Sequence, residues 1–215
     1  EVTGDLILAD QDGVPGLSLP NLVQVGGSII ITGNSGLITV GAPALKEVQG
    51  GIGIDDNPML EVVDFGSLGI VSGDIAIANN NNPQIDFGSL GIVSEDITIA
   101  NNNNPVVDFG ALVDIGGDFT IANNDNPQVD LSALVDIGGD FTITDNNDPE
   151  RRLDGTPTHP LNFPSLESVG GDLTVSTHGQ AVLDFALATV EGNICITGEG
   201  ATEVLARSAG GSTKV

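Results

Sequence analysis

Apolar and polar positions alternate along this chain in short bursts that return on a fixed step. The stretch GDIAIANNNNPQIDFGSLGIVS at 73–94 is followed by near-copies beginning at Glu95, Gly117 and Gly139, each 22 residues after the last. A repeat of that length is the mark of a solenoid. Within a copy, apolar–x–apolar places Ile97 and Ile99 on one face of a strand and Asp96, Thr98 and Ala100 on the other. After an Asn-rich turn comes a second short apolar alternation, and a Leu–x–x–Ile/Val run closes the copy. One coil has no means of burying its apolar face alone. The pattern therefore predicts coils stacked strand on strand, about 4.8 Å per step, in a parallel β-solenoid of the all-β class.

Aligning the first-strand apolar pairs gives Leu6/Leu8, Ile29/Ile31, Ile52/Ile54, Ile75/Ile77, Ile97/Ile99, Phe119/Ile121, Phe141/Ile143, Leu173/Val175 and Ile194/Ile196. The steps are 23, 23, 23, 22, 22, 22, 32 and 21, which makes about nine coils of 22–23 residues with one insertion. The expected organisation is a single solenoid over 1–207, with an insertion loop at 147–160 in the seventh coil and a flexible tail or linker at 208–215.

Three residues after the second apolar member, six consecutive coils carry asparagine: Asn34, Asn57, Asn80, Asn102, Asn124 and Asn146. An amide offers both a donor and an acceptor, so a stacked column of them satisfies the backbone groups of a buried turn coil after coil. Pro83, Pro105, Pro127 and Pro149 follow, fixing φ where the turn ends. All seven Phe fall on two repeat positions, Phe119 and Phe141 on the first strand and Phe65, Phe87, Phe109, Phe163 and Phe185 on the second. They are expected to form internal ladders.

The spacing apolar–x–apolar–x–x–Asn with a Leu–x–x–Ile/Val before it resembles the leucine-rich-repeat theme. The fuller unit from Phe163 through Pro164, Ser165, Leu166, Val169 and Asp172 to Val175 is more similar to the L domains of receptor ectodomains and related microbial cell-surface repeats. The resemblance covers nearly the whole chain. It implies a right-handed solenoid on a secreted or surface-displayed protein, and it names no ligand. The chain departs from those modules in having neither disulfides nor aromatic ligand-facing positions.

Composition narrows the partners. The formal charge is −25, with 30 acidic residues against 5 basic ones. Nucleic acid is excluded as an expectation, because phosphate neutralisation needs clustered Lys/Arg. Membrane insertion is not expected, since no stretch is long and apolar enough to span a bilayer. The single Cys195 rules out an internal disulfide. With two His, no Tyr and no nucleophile–base–orienter set at readable spacing, an enzyme is not expected either. A carbohydrate-active solenoid enzyme ranks third among the readings.

Candidate chemistry lies in the outward columns. Asp74, Asp96, Asp118, Asp140 and Asp172 recur at one position, Thr98, Thr120, Thr142 and Thr174 at another, and Asp64, Asp86, Asp108, Asp130 and Asp184 at a third. Asp96, Thr98, Asp118, Thr120, Asp140, Thr142 and Thr174 form the candidate binding face. Stacked Asp74, Asp96, Asp118 and Asp140 are candidate Ca²⁺ ligands, since Ca²⁺ takes several carboxylate oxygens, and no other cofactor is expected. Arg151, Arg152 and His159 make the insertion a candidate partner loop, because loops that leave a rigid scaffold often carry function. The expectation is a non-catalytic extracellular module for adhesion, binding or structural display. Its partners would be protein or polysaccharide at the cell surface, with end-to-end self-association through the solenoid ends. The runner-up is ice binding through a flat Thr/Ala array.

Overall fold

The computed structural model describes residues 1–146, 163–178, 182–185, 187–199, 203–208 and 211–214. Among these there is no helix. The chain winds as a parallel β-solenoid, and each of the first six coils gives one strand to each of three sheets. In the coil that starts at Gly73 these are Ile75–Ala78, Gln84–Asp86 and Ile92–Val93. Among the described residues the first sheet has nine strands, the second six and the third eight.

Register is strict. Ile75, Ala76, Ile77 and Ala78 sit against Ile97, Thr98, Ile99 and Ala100, which sit in turn against Phe119, Thr120, Ile121 and Ala122. A one-residue slip would turn every apolar side chain outward, so core burial enforces the register. The expected alternation holds: Ile97 and Ile99 are fully buried and Thr98 and Ala100 are half-exposed. All three walls feed one continuous core, with Ile75, Ile77, Ile85, Phe87, Leu90 and Val93 as one coil's share.

The third sheet was not foreseen as strands. Its members, such as Ile70–Val71 and Ile92–Val93, are two residues long, too short to show an alternation. The corner before it is a tight turn in which the Leu90 N–H donates to the Phe87 carbonyl at 2.8 Å, repeated as Leu112 to Phe109 at 2.9 Å. Phe65, Phe87 and Phe109, expected on the second strand, sit one residue past it, at this corner, still wholly buried, whereas Phe185 ends the strand Val182–Phe185.

Phe65, Phe87 and Phe109 run up one wall, with ring centroids 5.9 and 5.3 Å apart. Phe119 and Phe141 stack on the opposite wall at 5.4 Å. The two walls compensate. Coils with Ile52, Ile75 or Ile97 on the first strand carry Phe65, Phe87 or Phe109 at the corner, whereas the coil with Phe119 carries Leu131 there. Each of these coils thus holds one ring, as constant core volume requires. The next coil has two, and Phe141 meets Phe163 edge-on at 4.9 Å.

That coil also contains the insertion, whose residues 147–160 lie outside the described residues, as do Arg151, Arg152 and His159. The first sheet continues across it: Phe141, Thr142 and Ile143 pair with Leu173, Thr174 and Val175, and the register shifts between Ile143 and Asn146. In the segment read as a linker, Gly211–Lys214 is a strand, antiparallel to Glu203–Ser208 in a small three-stranded sheet.

Candidate functional site

The Asn-rich turn is built from four residues that share three tasks. In Asn101–Asn104, Asn101 and Asn104 adopt positive φ, 55° and 44°, as do Asn79 and Asn82 one coil before and Asn123 and Asn126 one coil after. Asparagine tolerates this left-handed region better than other non-glycine residues. Asn102 is the buried rung, and Asn103 bridges to Asn81 and Asp125 on the outside.

Asn102 Oδ1 accepts from the Asn80 backbone N–H at 3.0 Å and from its amide at 3.2 Å. Its own amide donates to the carbonyls of Ile77 and Ala100 and to Asn124 Oδ1. The same pattern runs from Asn34 through Asn57, Asn80 and Asn124 to Asn146. Every rung through Asn124 is at most 3% exposed, and Asn146 is half-buried. At the lower end, the Gln11 N–H donates to Asn34 Oδ1. Among the described residues, no buried side-chain polar atom lacks a partner.

The candidate binding face is the outer side of the first sheet. Thr98, Thr120, Thr142 and Thr174 are in direct register, flanked by Ala100, Ala122, Thr144 and Ser176. From Gly53 to Ser176 the outward side chains on these strands are Gly, Ala, Thr, Ser and Asp, so the face is flat and free of large apolar groups. Cys195 continues the column beside Thr174 and is exposed.

The acidic column beside this face is part of the fold. Asp96 Oδ1 accepts the Asp118 N–H at 2.7 Å, Asp118 the Asp140 N–H at 2.8 Å, and Asp140 the Asp172 N–H at 2.7 Å. Asp74 does the same for Asp96, and Asp172 for Asn193. Each carboxylate thus caps the coil that follows it, at a corner where chains approach closely. A Cβ on Gly117 would lie 2.9 Å from the Glu95 carbonyl carbon. The second acidic column is also committed: Asp86, Asp108 and Asp130 each accept the N–H two residues on, at 2.8–3.0 Å. Sequence reasoning identified both columns but not this use, because the bond depends on which backbone N–H the neighbouring coil turns toward each carboxylate.

With Oδ1 engaged, each aspartate in the first column keeps one outward oxygen, few for an ion that takes six to eight. Among the described residues, no three His, Cys, Asp or Glu side chains gather as metal ligands. Asp118→Ala is expected to cost about 1 kcal/mol in urea unfolding, and Asp118→Asn, which keeps the acceptor, much less. Millimolar Ca²⁺ should raise the melting temperature no further than NaCl of equal ionic strength. A clearly larger shift with Ca²⁺ would restore the metal reading.

Two aspects of the third sheet's outer side escaped sequence reasoning. Ile70, Ile92 and Val113 are exposed there by 45%, 44% and 45%. Next to them Asp114, Asp136, Ser168, Thr189 and Glu191 line a hollow of ≈ 300 Å³. The signal was present in the sequence as Ile–Val and Asp–Ile pairs, but it has no meaning until those pairs are known to be strands. No protein-family model, curated protein or solved structure is found to match this chain, and what the geometry establishes is a parallel β-solenoid repeat protein.

Proposed function

We propose that this chain is a non-catalytic module of a secreted or cell-surface protein that presents the outer side of its first sheet to an extended partner. The observation that carries this reading is the nine-stranded parallel face on which small side chains repeat in register without a bulky interruption from Gly53 to Ser176. Stacked coils hold such a face rigid, because the coils from Gly53 to Asp130 are fixed to their neighbours through three sheets and the Asn ladder. The resemblance to receptor L domains supports display at a cell surface, where the partner is protein or polysaccharide.

A second reading, ice binding, is favoured by one specific observation: Thr98, Thr120, Thr142 and Thr174 stand in a column with a period of about 4.8 Å. Flat arrays of methyl and hydroxyl groups order water, whereas the neighbouring acidic column hydrates strongly. One variant tests both readings. Thr120→Tyr breaks the flatness at a half-exposed position and should leave the fold intact. Depletion from solution by insoluble polysaccharide or cell-wall particles is expected for the parent protein and at least a tenfold weaker effect for Thr120→Tyr. Equal depletion would place the contact elsewhere and overturn the proposal. Thermal hysteresis in the parent, lost in Thr120→Tyr, would establish the ice reading, and its absence in the parent would retire it.

A further inference from the structure

The outer side of the third sheet differs from the other two in what its carboxylates do. On the first and second sheets the aspartate columns are occupied by backbone N–H groups. On the third sheet Glu47 accepts only side-chain amides, from Gln24 and Gln49, and among the described residues the Asp114 and Glu191 side chains accept no hydrogen bond and Asp136 accepts only the Ser168 hydroxyl. The fold has no need of the Asp114 and Glu191 charges. They line, with Asp136 and Thr189, the ≈ 300 Å³ hollow on this face.

The hollow continues into an apolar strip. One outward column of this sheet runs in register through Gln24, Glu47, Ile70, Ile92, Asp114, Asp136, Ser168 and Thr189. Ile70 and Ile92, with Val113 beside Asp114, are large apolar side chains left nearly half-exposed. The stretch from Ile70 to Thr189 is therefore apolar at its start and acidic beyond it, at Asp114 and Asp136 with Glu191 in the same hollow. Five coil steps of about 4.8 Å make it roughly 24 Å long, the span of about seven extended residues.

We infer that this stretch is a docking groove for an extended segment of a partner protein that carries aliphatic residues at one end and Lys or Arg at the other. The aliphatic end removes Ile70, Ile92 and Val113 from water, and the basic end supplies the charge that Asp114, Asp136 and Glu191 lack. This surface is separate from the first-sheet face, so it stands or falls independently of the function proposed above.

The test uses blocked, dye-labelled heptapeptides and fluorescence anisotropy. The probe has two valines at one end, two lysines at the other and a Ser/Gly spacer. Its comparisons replace the valines by serine or the lysines by glutamate. Saturable binding of the probe is expected, weakened at least tenfold in either comparison peptide. Ile92→Ser and the double variant Asp114→Asn/Asp136→Asn should each weaken it at least fivefold. Glu61→Gln, an exposed acid on another face, should change it less than twofold. Variants count only if their unfolding midpoints match the parent; where Ile92→Ser falls short, Ile92→Thr, which keeps the β-branch, replaces it. Equal binding of the serine peptide, an equal effect of Glu61→Gln, or no saturable binding of the probe would each overturn the inference.

Discussion

Asn102→Ala is expected to lower the free energy of unfolding by about 4–6 kcal/mol. The truncation orphans the Asn80 backbone N–H inside the turn, which costs about 1–3 kcal/mol, and it removes further buried bonds worth about 1 kcal/mol each. Those bonds run to the carbonyls of Ile77 and Ala100 and to Asn124 Oδ1. Asn102→Asp separates the acceptor from the donor role. The carboxylate still receives the Asn80 N–H but has nothing to donate, and it faces the Asn124 oxygen in a site only 2% exposed. It should cost at least as much as alanine, because an unpaired charge is then buried. Asn103→Ala, one residue on but exposed, should stay within about 0.5 kcal/mol. Similar urea midpoints for Asn102→Ala and Asn103→Ala would show that the ladder does not hold the turn.

Phe109→Ala should cost about 3–5 kcal/mol through the cavity it leaves. Phe109 is fully buried and stacks on Phe87 with an interplanar angle of 4°, so the loss includes part of a ring–ring contact as well as transfer energy. The exchange of ring and aliphatic side chain between walls makes a sharper test one coil later. Leu131→Phe alone would put two rings in the coil that already holds Phe119, and overpacking should cost about 1–3 kcal/mol. Adding Phe119→Leu recreates the arrangement of the preceding coil, with the ring at the corner and an aliphatic side chain on the strand. Most of the loss should return, so the two changes will be strongly non-additive. Independent, additive effects in a double-mutant cycle would mean that the two walls do not share one core volume.

The parts of the fold legible in the sequence are those in which one coil's own pattern decides the outcome. Alternation set the inward Ile97 and Ile99 and the outward Thr98. Recurrence of Asn at one spot, together with the need to satisfy a buried turn, identified the ladder residues. The other asparagines of the same turn were not assigned tasks, because their reason is a backbone angle, and a recurring Asn at 79, 101 and 123 or at 82, 104 and 126 does not by itself tell a positive φ from a solvated polar turn. The two-residue third-sheet strands were hidden for a related reason: their pairing partners lie one coil away, and nothing local marks them.

The sequence by itself determined the coil length, the stacking of coils, the inward residues and the columns that run up each wall, because a 22-residue period repeats every local choice at the same place. Only the tertiary structure decided what each column does. Asp118 and Asp114 are both exposed aspartates, four residues apart in one chain. Asp118 is engaged because the Asp140 N–H of the next coil points at it from 2.8 Å, and Asp114 is free because its neighbours' backbone groups are already used in the third-sheet ladder. The physical difference lies in the direction of one backbone N–H in an adjacent coil, which is fixed by how the coils stack.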